Sequence, residues 1–132
     1  MEAMTTSKSI ELLHEMRSKV GKAITTGLED AELLFFLERD DKLAQAIEDA
    51  HAALHGIENE FGSGYIARAE LDLITDLQSG FVNFYNPATV NPYVALAARG
   101  PWIVTSHGAV VHDNGGYGML GSGHGPSEII DA

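Results

Sequence analysis

The chain has 132 residues, and its 19 acidic and 8 basic side chains give a net charge of −11 with histidine neutral. This length suits one ordinary domain that buries a core without a structural metal or a disulfide. The acid excess argues against binding to nucleic acid or anionic lipid, because both need clusters of lysine and arginine that neutralise phosphate. The lack of cysteine excludes disulfides, thiolate nucleophiles and cysteine-based zinc sites.

Neither a signal peptide nor a membrane span is indicated by the hydrophobicity pattern. The first four residues lack the basic start of a signal peptide, and the longest uninterrupted aliphatic or aromatic runs, 33–37 and 93–98, have five and six residues. We therefore expect a soluble, cytoplasmic protein that binds neither membrane nor nucleic acid.

The composition changes near residue 80 and divides the chain into two parts. Residues 1–80, the helical region, hold 16 of the 19 acidic and 7 of the 8 basic residues, a local charge of −9. The remainder is nearly uncharged, and eight of the 14 glycines fall in the last 33 residues. We predict an α+β fold, with an N-terminal bundle of three to four helices (1–80), an extended Pro/Asn segment (81–101), and a small antiparallel β-meander leading into an unfinished helix (102–132).

Apolar side chains recur every three or four residues in the helical region, as they do along one face of a helix. The third of these stripes predicts a helix of about five turns. Thr26 to Glu29 has the spacing of a capping box, which predicts the start of a short second helix. The stripes are Ile10, Leu13, Met16, Val20 and Ile24 in the first helix; Leu43, Ile47, Ala50, Leu54, Ile57 and Phe61 in the third; and Ile66, Ala69, Leu73 and Leu77 in the fourth.

A three-stranded meander is predicted from about Trp102 to Leu120. Residues 102–105 and 109–112 are short runs of the β type, separated by Ser-His-Gly. Residues 113–116, Asp-Asn-Gly-Gly, are a strong turn signal because asparagine and glycine accept positive φ.

The last residues predict a helix that the sequence does not complete. Pro126 suits the first turn of a helix beginning at Ser127, and about one turn follows before the chain stops. We therefore expect these residues to be a piece of a longer polypeptide.

Two histidines, His51 and His55, lie four residues apart on one face of the third predicted helix, a spacing that can hold a metal ion. The glutamate of metalloprotease helices is missing, and no third ligand stands at a companion spacing. The sequence therefore favours ordinary, partly exposed histidines and no metal site. The same interpretation applies to His107, His112 and His124 in the β region.

Residues 116–121 match the G-x-G-x-x-G pattern of dinucleotide-binding folds. Such a fold needs this turn between a buried strand and a helix, with an acidic residue about 20 positions later. Only 11 residues follow Gly121, and the match overlaps the predicted hairpin. The pattern favours a glycine-rich stretch that allows close backbone approach.

The order of residues in the β region resembles two signatures of class III pyridoxal-phosphate-dependent aminotransferases. In that family a strand pair ending in Asp-x-Gly-x-Tyr is followed by Gly-His and a proline. The likeness covers about a fifth of this chain and departs from the family at Gly118 and Met119, where Leu-Asp is usual. The matching positions are Gly108, Val110, Asp113, Gly115 and Tyr117, and then Gly123, His124 and Pro126.

The resemblance implies the N-terminal segment of an enzyme that transfers an amino group between an amino acid or amine and a keto acid. In that family the Schiff-base lysine and most cofactor ligands lie downstream of the signatures, whereas Lys42 is the last lysine here. The resemblance therefore implies that the full-length protein binds pyridoxal phosphate, and that this chain is not catalytic and holds no cofactor by itself. It assigns the substrate side of the pocket to Gly121, Ser122, Gly123 and His124.

The resemblance also implies two kinds of partner. This segment should pack on the remainder of its own polypeptide, and the full-length protein should form a homodimer. We expect this chain to self-associate through aromatic residues that a large domain would cover, and through open strand edges. A closed monomer, with the helices folded over these aromatics, is the alternative. A different class of function also stays open, a stand-alone acidic helical module that binds a protein partner. The aromatics are Phe81, Phe84, Tyr85, Tyr93 and Trp102.

Overall fold

The computed structural model describes residues 2–80, 86, 88–90, 92–113 and 123–132, with the backbone alone for residues 2–5. Over these residues the protein is α+β, as predicted. No helix within the described ranges combines the length and apolarity needed to cross a membrane. The elements are α1 (Glu2–Lys19), α2 (Asp30–Leu37), α3 (Asp41–Phe61), α4 (Ser63–Ile66), α5 (Glu70–Gln78), β1 (Ala95–Arg99), β2 (Trp102–Thr105), β3 (Val110–His112) and α6 (Ser127–Ile130).

Helix α3 lies at the centre of the core, where it contacts α1, α2, α4, β1 and β2. Its predicted stripe is confirmed over most of its length, since Leu43, Ile47, Ala50 and Leu54 are buried. The last residue of the stripe, Phe61, is instead largely exposed. The apolar face of α3 is therefore the surface on which the remaining elements pack.

Helix α1 ends at Lys19, before the predicted stripe does, and Ile24 is about half exposed. The reason is a buried carboxylate on α5. One oxygen of Glu70 accepts hydrogen bonds from the backbone N–H groups of Ile24 (2.6 Å) and Thr25 (2.8 Å). The N–H of Glu70 donates to the carbonyl of Lys22 (2.9 Å), so the segment after α1 is bound to α5 and leaves the helix.

The predicted capping box at residues 26–29 is wrong by one turn. Glu29 is itself the N-cap of α2, and its N–H donates to the Glu32 carboxylate (3.0 Å). The preceding residues cannot be helical because the N–H of Leu28 donates to the Val110 carbonyl on β3 (2.8 Å).

The predicted fourth helix is divided into α4 and α5. Ile66 and Leu73 are buried as its stripe requires, but Leu77 is exposed. Ala69 is in an extended conformation at the break. The backbone of Gly21 passes so close that a Cβ atom there would lie 2.5 Å from the Ala67 oxygen, so the loop after α1 occupies the space of a continuous helix.

The sheet has the order β1-β2-β3 and is antiparallel throughout. Arg99 stands opposite Trp102, and Ile103 stands opposite Val111. All four residues of β2 are buried. The sheet therefore places its middle strand in the core beside α3.

Strand β1 lies inside the segment predicted to be an extended linker, residues 81–101. The run Ala-Leu-Ala-Ala-Arg has weak β propensity. It forms a strand because pairing with β2 and packing on α3 stabilise the extended conformation. Positions 114–116 of the predicted turn, and any strand up to Leu120, lie outside the described residues.

The expectation that Trp102 is exposed is wrong, because its side chain is only 1% exposed. The indole ring packs against Phe36 (centroids 5.1 Å apart) and His112 (4.8 Å), and its N–H donates to the Asp40 carboxylate (2.8 Å). The helices therefore cover this aromatic, as the closed alternative required. Tyr93 is partly buried, and the other aromatics, Phe81, Phe84 and Tyr85, lie outside the described residues.

Candidate functional site

The second aminotransferase-like signature lies against the turn that joins β1 to β2. The N–H of His124 donates to the Gly100 carbonyl (2.8 Å), and the N–H of Gly100 donates to the His124 carbonyl (2.9 Å). The N–H of Asp113, in the first signature, donates to the Pro101 carbonyl (2.6 Å). The two signatures therefore meet at this turn.

The side chains of the two signatures also form a direct pair. Nε2 of His124 lies 2.9 Å from a carboxylate oxygen of Asp113. The His124 side chain is 41% exposed and that of Asp113 is 27% exposed, so the imidazole keeps an accessible edge. The carboxylate orients a ring that is still able to contact a ligand.

Gly123 needs to be glycine for two reasons. Its φ of +74° is unfavourable for other residues. A Cβ atom at this position would also lie 2.9 Å from the Cα and the oxygen of Gly100. The backbone at Gly123 therefore lies directly against Gly100. Residues 116–121, for which the sequence predicted close backbone approach, and Ser122 lie outside the described residues.

The resemblance places the Schiff-base lysine of the family downstream of the two signatures, and two lysines of this chain make contacts within its fold. Lys42, the last lysine, lays its side-chain stem against Gly100, and Lys19 bonds to Glu58 (2.9 Å).

The three histidines of the β region are not gathered in one cluster. His107 is buried, and its Nε2–H donates to the Arg68 carbonyl (2.7 Å). Its Nδ1 then accepts from the Ser106 hydroxyl (2.9 Å), a tautomer inferred from these partners. His112 packs on the Trp102 ring, and His124 pairs as described above.

A second group of polar side chains lies where α1 meets α3. Nε2 of His51 lies 3.0 Å from one carboxylate oxygen of Glu15, and Nε2 of His55 lies 3.2 Å from the other. The two imidazole rings touch edge to face with their centroids 4.5 Å apart. Glu15, His51 and His55 each offer an atom that can bind a metal ion, and these atoms all lie within 4.8 Å of one another. Among the described residues, no other group of three is as close. We call these three residues the Glu15 cluster.

Two further charged groups border the Glu15 cluster. The ammonium group of Lys19 lies 2.9 Å from Glu58 and 3.9 Å from Glu15, and Nδ1 of His55 lies 3.8 Å from Glu58. The pKa of the Glu15 carboxyl lies below its usual value, chiefly because His51 hydrogen bonds to it and to a smaller extent because His55 does. Glu15 is therefore a carboxylate at neutral pH.

The spacing of His51 and His55 predicted their shared face, but Glu15 was missed. It precedes them by 36 and 40 residues, so no local pattern connects the three. Glu15 is next in sequence to Met16, which belongs to the buried stripe of α1. If the apolar stripes of α1 and α3 are packed against each other, Glu15 lies at the edge of the same contact as His51 and His55. That packing was the signal that could have identified Glu15.

An apolar cavity of about 220 Å³ lies beside α3, α5 and β1. Its wall includes the exposed side chains of Phe61 and Leu77, with Ser106 and His107 at its polar part. Leu54, Ile57, Leu73 and Leu96 also line it.

Comparison with protein-family models, curated proteins and solved structures finds no match to this chain. The resemblance to aminotransferases therefore depends on the two signatures and the contacts between them.

Proposed function

We propose that this chain is the N-terminal segment of a pyridoxal-phosphate-dependent class III aminotransferase. The enzyme transfers an amino group between an amino acid or amine and a keto acid. In this proposal a bundle of three to four helices, an extended segment and the meander precede the catalytic large domain. The observation that carries the proposal is the pair of His124 and Asp113 at 2.9 Å, because it joins the two signatures at one turn.

The segment contributes to the substrate side of the pocket through residues 121–124. Gly123 allows the backbone to lie against Gly100, and Asp113 holds the His124 imidazole with one edge accessible. Pyridoxal phosphate, bound by residues further along the polypeptide, supplies the electron sink for amino transfer. The present residues orient the substrate and exclude water on one side of it.

The full-length gene product containing these residues tests the proposal. We expect it to bind pyridoxal phosphate with a visible absorbance band and to transfer amino groups from a panel of amino acids and amines to 2-oxoglutarate. His124→Ala should raise KM for the substrate, while His14→Ala, a change on the exposed face of α1, should not. A full-length product that binds no pyridoxal phosphate contradicts the proposal.

The oligomeric state belongs to the same proposal. We propose that the full-length enzyme is a homodimer with this segment near the subunit boundary. Light scattering of the full-length product should give twice the chain mass, and a concentration-independent monomer contradicts this part.

A second candidate, a protein-interaction module, is favoured by one observation. The apolar cavity has the exposed Phe61 and Leu77 on its wall, beside an acidic helical surface. Exposed apolar groups rimmed by charge are typical of surfaces that bind a partner. A natural gene product that ends at Ala132 would favour this candidate, whereas a downstream lysine-bearing domain would favour the aminotransferase.

A further inference from the structure

The Glu15 cluster has no part in the function proposed above, and its chemistry is that of a metal site. Two neutral imidazoles and one carboxylate are a ligand set that zinc binds in proteins, and they come here from two different helices. His51 and His55 share a face because they lie four residues apart on α3, and Glu15 reaches them from α1. A bound ion would therefore link the two largest helices of the core.

The distances already approach those of a coordinated ion. Zinc binds nitrogen and oxygen at about 2.0–2.2 Å, so tetrahedral ligand atoms lie roughly 3.4 Å apart. The two nitrogen-to-oxygen distances, 3.0 and 3.2 Å, are close to this spacing, although each runs to a different oxygen of the Glu15 carboxylate. Side-chain rotations would bring one Glu15 oxygen and both nitrogens around one point, because these three ligand atoms already lie within 4.8 Å of one another.

The hydrogen bonds of the cluster are those that an ion replaces. Each imidazole directs Nε2 at the Glu15 carboxylate, and the ion takes the place of the shared protons. The side chains of His51, His55 and Glu15 are 20%, 40% and 44% exposed, so an ion has access from solvent. Three protein ligands leave a fourth position for water.

The charged groups that face the cluster set its affinity. Glu58 lies 3.8 Å from Nδ1 of His55 and can orient that ring from behind, as carboxylates do around zinc ligands. The Lys19 ammonium, 3.9 Å from Glu15, repels a cation. The site therefore combines a favourable ligand set with one opposing charge.

We propose that Glu15, His51 and His55 bind a divalent ion of the zinc class and that this ion bridges α1 and α3. Imidazole nitrogen suits zinc, nickel and copper, whereas magnesium and calcium require a shell of oxygen ligands. The occupant is therefore a transition metal, with zinc as the probe of choice.

Calorimetric titration tests this with the 132-residue chain, free of any purification tag and stripped of metal by a chelator. We expect one zinc ion per chain, and a thermal unfolding midpoint that rises with zinc concentration. Glu15→Gln, His51→Gln and His55→Gln should each weaken zinc binding by more than about tenfold, the lower bound for disturbing even an outer-sphere partner. An excess of magnesium should not compete.

His14→Gln is the matched control, because this imidazole on α1 pairs with a carboxylate on α2. Nε2 of His14 lies 2.6 Å from Asp30, with no second imidazole at the same carboxylate among the described residues. This variant should bind zinc as the unaltered chain does. Lys19→Gln should tighten binding, since it removes the opposing charge.

Imidazole nitrogen resonances give a readout that needs no variant and so does not depend on folding of a mutant. Zinc should shift the signals of His51 and His55 and leave those of His14 and His112 in place. The proposal is overturned if the unaltered chain binds less than one zinc ion, if the affinities of the three ligand variants equal that of His14→Gln, or if other histidines shift instead.

Discussion

In the helical region, buried leucine, isoleucine and alanine side chains of α1 and α3 form much of the core, whereas the sheet region (residues 92–113 and 123–132) combines buried strand residues with a close contact between two of its own backbone segments at positive φ. Leu13 and Ile47 illustrate the first kind of contact, and Gly100 against Gly123 illustrates the second. Side-chain packing tolerates changes of similar volume. A backbone approach at positive φ accepts nothing larger than glycine, so the two regions differ in the substitutions they allow.

The two regions join where side chains from both of them contact one another. Trp102 of β2 lies between Phe36 and His112 and donates to Asp40, which also caps α3 through the Lys42 N–H.

Trp102→Ala should have the largest effect. The indole is fully buried where the sheet meets the helices, so its loss should lower the free energy of unfolding by about 3–5 kcal/mol. Urea denaturation followed by far-ultraviolet circular dichroism measures this. Trp102→Phe keeps most of the volume and should cost less. An alanine variant whose helices keep their stability while the sheet alone unfolds would break the idea of one shared core.

Glu70→Ala should follow, with a loss of about 1–3 kcal/mol, because the N–H groups of Ile24 and Thr25 lose a buried acceptor. Glu70→Gln retains one acceptor oxygen, and its amide takes the position of an oxygen that is buried without a hydrogen-bond partner. The glutamine variant should therefore be much closer to the unaltered chain. Equal losses in chemical denaturation would show that one neutral acceptor oxygen does not replace the carboxylate, and no loss in the alanine variant would show that Glu70 does not hold this loop.

Gly123→Ala should cost about 1–2 kcal/mol from its left-handed conformation, with additional overlap against Gly100. Hydrogen exchange of the Gly100 N–H should accelerate, since His124 can no longer lie against it. Gly56→Ala is the control of opposite sign. Gly56 lies inside α3 with open space at its Cβ position, so alanine should stabilise the protein by about 0.5–1 kcal/mol. Similar effects at both positions would remove the contrast between the regions.

Asp30→Asn should have the smallest effect, about 0.5–1 kcal/mol at neutral pH, as is usual for partly exposed ion pairs. The Arg17 guanidinium bonds to Asp30 (2.8 Å) and to the Gly108 carbonyl (2.9 Å), so the pair connects the regions. Arg17 and, less strongly, His14 hold the pKa of Asp30 below its usual value.

The pH dependence of this pair follows from the direction of the pKa shift. The unfolded Asp30 binds a proton more readily than the folded one, so the stabilisation is present above the ordinary aspartate pKa and is lost as pH falls through the lowered value. The difference in unfolding free energy between the unaltered chain and Asp30→Asn should be constant near neutrality and shrink below about pH 4. A difference that grows on acidification has the wrong sign for this pair.

Periodicity alone predicted the features that depend on neighbours along the chain. Leu43, Ile47, Ala50 and Leu54 are buried on α3 because residues three and four apart share a helix face whatever the helix packs against. The strands at residues 102 and 110 and the helix start after Pro126 were predicted from similarly local signals. The α+β class follows from these elements.

Tertiary structure decided what depends on residues far apart. Residues 26–28 cannot begin a helix because β3 binds Leu28, and β1 forms from an alanine-rich run because β2 pairs with it. Trp102 is buried because Phe36 and Asp40 lie over it. Glu15 meets His51 and His55 only when α1 packs on α3. Each of these contacts arises when the chain folds back on itself, and spacing along the sequence carries no record of which distant residues then meet.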